Sequence, residues 1–264
     1  MNHINKTSPS VAIITSTLGR ASLEQSILSV QQQSYPCVHY VFVDGAEYAA
    51  TAEQILRKYP DVKAMYLPCN TGKNGWDNSY INAASAYLVK EDIICYVDDD
   101  NTLAPHHVQS IVQTFQNHAC DYVYSLRYLM NSAGQIISPD HVISVGELPR
   151  ENVQREFVTR YQEKAFLTKI EIPEPLIDTN CYAFPRALAM HLSPVWARSY
   201  LQNDLKVFRY LREQGFKGQC THQYSVNYLF NPRTIIGGVF DALKPKLGDE
   251  LAALAVEQIL VQLN

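Results

Sequence analysis

The stretch IICYVDDDNTLAPHHV, residues 93–108, decides the reading of this chain. Ile93 to Val97 form an apolar run of strand length, without polar alternation, and run straight into Asp98, Asp99, Asp100 and Asn101. Ligands of parallel α/β sheets bind where strands end, and three adjacent carboxylates there repel one another unless a cation neutralises them. Oxygen-only ligands favour Mg²⁺ or Mn²⁺, and Mg²⁺ uses one or two carboxylates together with substrate phosphates. The competing structural reading is a solvated acidic loop capping the helix that starts near Pro105.

Working outward, VAIITST (11–17) reads as a buried strand, followed by Gly19 and Arg20 and a helix with Leu23, Ile27 and Val30 on one face. HYVFVDGA (39–46) is a second strand, TAEQILRKY (51–59) a helix and VKAMYL (62–67) a third strand. The turn-rich CNTGKNG (69–75) precedes a helix over about 76–89, and another follows Pro105 to about 117. Strands at 121–129 and about 136–143, joined by an NSAGQ turn, predict a hairpin. Beyond it the spacing predicts a polar helix over 150–166, a proline-broken loop (170–180), a helix over about 203–214, a strand over 218–230 and an amphipathic helix over 247–263 with Leu247, Leu251 and Leu254 in register. The pattern is α/β, with a mostly parallel sheet flanked by helices.

With 264 residues, 47% of them hydrophobic, the chain can bury a large core. A formal charge of −4 gives no global pull toward nucleic acid. The six cysteines show no C-x-x-C pair and read as reduced thiols in a cytosolic protein. No signal peptide and no apolar run of about 18 residues occurs, leaving peripheral contact with the inner membrane face as the membrane option. Seventeen tyrosines point to core edges, with a sugar-binding surface as the alternative.

TLGR after the first strand, then SILSVQQQSYPCVHYVFVDG, resembles the opening of GT-A type glycosyltransferases of the inverting family 2, and VDDDNTLAPHHV resembles that family's D-x-D motif with its following Leu-x-Pro. The resemblance spans roughly residues 9–118 and thins beyond. It implies a GT-A, Rossmann-like sheet with a C-terminal acceptor-side subdomain. Residues 1–130 would form the nucleotide-sugar half and 131–264 the acceptor and base half of one continuous domain. On the donor side it assigns Thr17, Arg20, Asp44 as a base-reading carboxylate suited to UDP, Asp98 and Asp99. Asp100 becomes the Mn²⁺ or Mg²⁺ ligand and His222 a second candidate. In NTGKNGWDN (70–78), Asn70, Gly72 and Asn78 match the family, whereas Trp76 and Asp77 replace its Ala and Arg, so Lys73 takes the cationic contact.

Inverting transfer also needs a general base beside the acceptor hydroxyl. NDLKVFRYLREQG (203–215) resembles the family's E-D motif with Asn203 in place of Glu, which makes Asp204 the candidate base, set against an ordinary cap role. Asp178 and Asn180, beside Thr179, are candidates to reach the donor sugar or the acceptor, and Trp196 is a candidate to stack on a sugar. His106 and His107 adjoin the acidic cluster but read as a helix start. The implied function is metal-dependent inverting transfer from a nucleotide diphosphate sugar to a glycan or other hydroxyl acceptor, with a homodimer left open. One rival is a haloacid-dehalogenase-like phosphatase using Asp98 and Asp100; another is an inactive nucleotide- or carbohydrate-binding module.

Overall fold

The computed structural model describes residues 8–141, 143–145, 154–161, 164–171, 176–232 and 239–263. In chain order they form β1 (Val11–Thr17), α1 (Leu23–Gln31), β2 (Val38–Val43), α2 (Ala49–Leu56), β3 (Lys63–Tyr66), α3 (Ser79–Leu88), β4 (Ile93–Tyr96), β5 (Thr102–Leu103), α4 (His107–Asn117), β6 (Tyr122–Met130), β7 (Ile136–Pro139), β8 (Gln154–Tyr161) and β9 (Lys164–Glu171). Then follow β10 (Tyr182–Pro185), α5 (Arg186–Trp196), α6 (Asn203–Glu213), β11 (Gly218–Leu229), α7 (Val239–Leu247) and α8 (Asp249–Leu263). The chain divides into two compact units, 1–126 with 177–226, and 127–176 with 227–264.

In the first unit the sheet runs β3-β2-β1-β4-β10-β6-β11-β5. Its first four strands are parallel, and β10 is antiparallel to both β4 and β6. Being central, β1 is buried on both faces, which is why VAIITST is apolar without alternation. Leu23 and Ile27 of α1 close over Val41, Val43, Ala52 and Leu56, so one apolar stripe of that helix covers one sheet face. Register pairs Thr17 with Val43 and Ile14 with Tyr96, and the residues that leave β1, β2 and β4 emerge on the same sheet edge. The expected boundary near residue 130 lies close to the 126/127 division, but 177–226 rejoins the first unit and puts Asp178, Asn180 and Asp204 in the same unit as Asp98.

In the second unit α7 and α8 bury Phe240, Leu243, Ala252, Ala255, Val256 and Ile259 with Leu129 and Phe230. A buried ion pair, Arg127 Nε to Asp140 Oδ2 at 2.7 Å, sits beneath the Tyr228 ring, which the guanidinium covers at 3.9 Å. Asp140 also accepts the N–H groups of Ile143 and Ser144, so its charge is compensated from both sides.

Two expectations are corrected. Residues expected as a polar helix over 150–166 contain β8, which pairs antiparallel with β9 from Gln154↔Glu171 to Tyr161↔Lys164. Arg155, Glu156 and Arg160 suggest a helix, but Phe157, Val158, Thr159 and Tyr161 are strand formers and the pairing decides. The helix expected over 247–263 is α8, set off from α7 by Gly248 at φ +78°, but its buried face is not the expected leucine stripe. In α8 the buried stripe is Ala252, Ala255, Val256 and Ile259, while Leu254 is 53% exposed. Among the described residues no helix is long and apolar enough to cross a membrane.

Candidate active site

The residues that leave β4 build the site. Asp98 is half-buried and saturated: its Oδ1 accepts from Asn78 Nδ2 at 3.0 Å and its Oδ2 from Asn180 Nδ2 at 2.8 Å, while its own N–H donates to Asn180 Oδ1 at 2.6 Å. Asn180 is fully buried and its Nδ2 also reaches Asp178 Oδ1 at 2.7 Å, so one amide holds two carboxylates in place. Asp178 gains that position by capping the short turn Thr179–Cys181, accepting the Asn180 N–H. Thr179 Oγ1 then donates to Asp204 Oδ1 in the first turn of α6. Three carboxylates, Asp178, Asp100 and Asp204, thus act on Asp98. Burial first, then the charge of Asp178, with Asp100 and Asp204 adding, pushes the Asp98 carboxyl up to about 8 against the opposing Asn180 hydrogen bond.

Asp99 and Asp100 turn toward β1. Asp99, 1% exposed, accepts Thr17 Oγ1 at 2.6 Å and lies 3.5 Å from Arg20 Nη1, which pairs more tightly with Asp100 Oδ2 at 2.7 Å. Burial raises the Asp99 carboxyl while Thr17 and Arg20 oppose that rise. Thr17 Oγ1 in turn accepts the Gly19 N–H, which fixes the turn that presents Arg20. Asp44 is buried at the end of β2 and spends both oxygens on the 70–78 loop: Oδ1 accepts the Thr71 N–H and hydroxyl, Oδ2 the Gly72 N–H. Gly72 is required there, because a Cβ would lie 2.2 Å from the Asp77 carbonyl oxygen. Lys73 follows, exposed on the same loop.

The oxygen-only donor set and the mutual repulsion at Asp98 fit a hard divalent cation. Among the described residues no group of three or more His, Cys, Asp or Glu is arranged to hold a metal by itself. Asp100 has 29% side-chain exposure. His222 lies on β11, exposed, with φ +55° and its N–H on Cys220 Sγ, and no geometry assigns it to that ion. Trp196 is fully buried at the end of α5, its ring 6.0 Å from Tyr96, and has no face to offer a sugar. His107 is also fully buried, with Nδ1 2.8 Å from Ser225 Oγ, as a helix-start histidine.

A bridge absent from the sequence reading links the two halves of the site. Asn203 Nδ2 donates to Asn78 Oδ1 at 2.8 Å and Ser79 Oγ at 3.1 Å, so α6 is tied through Asn78 to Asp98. The only signal for it was the Asn at the position where the resembled motif has Glu.

A parallel sheet whose strand ends gather Thr17, Asp44 and Asp98 to Asp100, with an antiparallel β10 alongside, is the architecture of GT-A glycosyltransferases. The glycosyl transferase family 2 model matches residues 10–174, and the chain belongs to that family. It is 29% identical over 111 residues, 41% of this chain and 34% of the relative, to a glucosyl-dolichyl phosphate glucuronosyltransferase of Haloferax volcanii. It is 38% identical over 76 residues, 28% of this chain and 49% of the relative, to an uncharacterized protein of Haemophilus influenzae. The chain thus spans between a third and a half of those relatives. Among solved structures it resembles S. aureus TarS 1–349 in complex with UDP-GlcNAc, with TM-score 0.52 and 11% identity over 84% of this chain and 59% of that one. It also resembles the mannosyltransferase PcManGT of Pyrobaculum calidifontis in complex with GDP-Man and Mn²⁺, with TM-score 0.51 and 12% identity over 81% and 55%. At these identities the two structures speak for the fold.

Proposed function

We propose that the protein transfers a sugar, with inversion, from a nucleoside diphosphate sugar to a hydroxyl of a glycan or other acceptor. The observation that carries this is the meeting of Asp98, Asp178, Asn180 and Asp204 at the end of β4 in a family 2 chain. Asp204 is the base: Thr179 orients one carboxylate oxygen and the first turn of α6 presents the group, so it takes the acceptor's proton as that oxygen attacks the anomeric carbon. Asp44 shapes the loop that bears Lys73 and receives the uracil of a UDP donor, and Arg20 faces the diphosphate. Asp98 and Asp99 line the donor pocket with Thr17, and Asp178 and Asn180 position the transferred sugar beside Asp204. Bound at Asp100, Mn²⁺ or Mg²⁺ would neutralise charge growing on the leaving diphosphate. Arg20 then has to leave its ion pair with Asp100, and the neighbouring Asp99 keeps it within reach.

Donor hydrolysis and transfer across UDP-, GDP- and dTDP-sugars with Mn²⁺ or Mg²⁺ test the reading. Asp204→Asn keeps the shape and should lower transfer by ~10²–10⁴ while leaving nucleotide affinity within a few-fold. Transfer at the wild-type rate in that variant removes Asp204 as base, and absence of turnover with every donor leaves a binding module. The phosphatase alternative is not carried forward, because family 2 membership and the position of the acidic motif after β1, β2 and β3 both oppose it.

A further inference from the structure

The two segments that deliver Asn78 and Asp204 to the carboxylates also carry a group of rings, Trp76 half-buried and Tyr80 and Tyr200 exposed. Trp76 packs at 4.9 Å from Tyr80 and 5.2 Å from Tyr200, centroid to centroid, with interplanar angles of 34° and 64°. Tyr80 and Tyr200 nevertheless stay 40% and 41% exposed, and Leu201 beside them 52%. Both segments hold strained backbone: Asn74, Asp77, Tyr200 and Gln202 adopt φ between 47° and 63°. Non-glycine residues persist in that region only where their surroundings over-determine them. Here the surroundings are each other. Asn203 clamps Asn78 and Ser79, and Gly75 admits Leu201 so closely that a Cβ would meet its Cδ2 at 2.8 Å. The rings are continuous with the site, since Trp76 precedes Asn78, which donates to Asp98, and Tyr200 precedes Asp204 on the next turn of chain.

We infer that this aromatic surface seats a neutral pyranose ring of the acceptor, its C–H face stacked on Trp76 and Tyr200 and its attacking hydroxyl directed to Asp204. The inference rests on the transferase reading above. Rings that carry tyrosine hydroxyls, in segments that also hold the exposed Asn74 and Gln202, match a sugar, which pairs an apolar face with a rim of hydroxyls.

The chain has two tryptophans and Trp196 is fully buried, so Trp76 is the accessible reporter. Wild type, Trp76→Phe and Tyr200→Ala are titrated with methyl glycosides of glucose, galactose, mannose and N-acetylglucosamine, and with farnesol, while tryptophan fluorescence is read. A saturable change with at least one glycoside, lost in Trp76→Phe and weakened at least tenfold in Tyr200→Ala, supports the platform; thermal melts check that both variants fold. Silence with every glycoside, a change that survives in Trp76→Phe, or a response to farnesol alone overturns it. Donor hydrolysis by the wild type is run alongside. If hydrolysis occurs and the glycosides are silent, only the platform falls; if no donor is hydrolysed, the transferase reading falls with it.

Discussion

Asn180 carries more of the site than any carboxylate it touches, because its side chain satisfies the Asp98 N–H and binds both Asp98 and Asp178. Asn180→Ala should leave a buried N–H and two carboxylates short of partners, at a cost of roughly 2–4 kcal/mol, read as urea unfolding at neutral pH. A loss below 1 kcal/mol would show that water replaces the amide and that the packing of the cluster does not depend on it. Gly72 sets the other half. A Cβ there meets the Asp77 carbonyl, so Gly72→Ala must displace the 70–78 loop and release Asp44 from the Thr71 and Gly72 N–H groups. Calorimetric affinity for UDP with Mn²⁺ should drop at least tenfold while the melting temperature moves by only a few degrees. Unchanged affinity would separate the loop from the nucleotide.

At the level of elements, α3 lies on α5, and the residues it buries are small: Ser79, Ala83, Ser85 and Ala86 beside Ile81 and Asn82. Ala86 is fully buried, so Ala86→Leu overpacks the layer and should cost ~1–3 kcal/mol in chemical denaturation; a neutral result would mean that the layer has room. β1, β2 and β4 and their helices were legible because each strand is mostly apolar over its own length, and all four parallel strands are closed by Gly, Pro or an acidic turn. β3, an exposed edge strand that starts at Lys63, was read from its place after α2. α5 was not, since Pro194 looks like a breaker. It sits in the last turn, and the Met190 carbonyl that it leaves without an N–H accepts the Tyr87 hydroxyl at 3.3 Å instead. β10 is four residues long and its place between β4 and β6 is a matter of long-range pairing, which no local pattern encodes. The acidic motif and Asp204 were legible as chemistry, whereas the Asn78–Asn203 bridge was not, because an asparagine carries no mark of the partner 125 residues away.

Over the whole molecule, two buried histidines and the half-buried Asp98 set opposing pH dependences. His39 and His107 are held neutral by burial, each lowered from 6.5 to about 3, so below pH 6.5 the unfolded chain takes up two protons that the folded one refuses. Asp98, raised from 3.8 to about 8, works the other way: between those values the folded chain holds a proton that the unfolded one has lost, and stability declines as pH rises toward 8. Below pH 6.5 the two histidines outweigh Asp98 and stability falls on acidification, a fall that the raised Asp99 carboxyl opposes. Above pH 6.5 Asp98 outweighs the two histidines, and stability falls again until its carboxyl is ionised. These three groups together place a maximum near pH 6.5, with on the order of 1 kcal/mol lost by pH 5 and by pH 8. Urea unfolding from pH 5 to 9 in EDTA should show that peak. Asp98→Asn should flatten the alkaline limb and steepen the acid one, and His39→Gln, which can keep a hydrogen bond to Thr15, should remove one proton from the acid slope. An alkaline limb that persists in Asp98→Asn would mean that the strain of the site is not centred on Asp98. The same variant then decides whether a cation is tolerated or required beside Asp98, because Mn²⁺ should stabilise the wild type most at pH 8, where it displaces the proton that burial, and then repulsion, have drawn in.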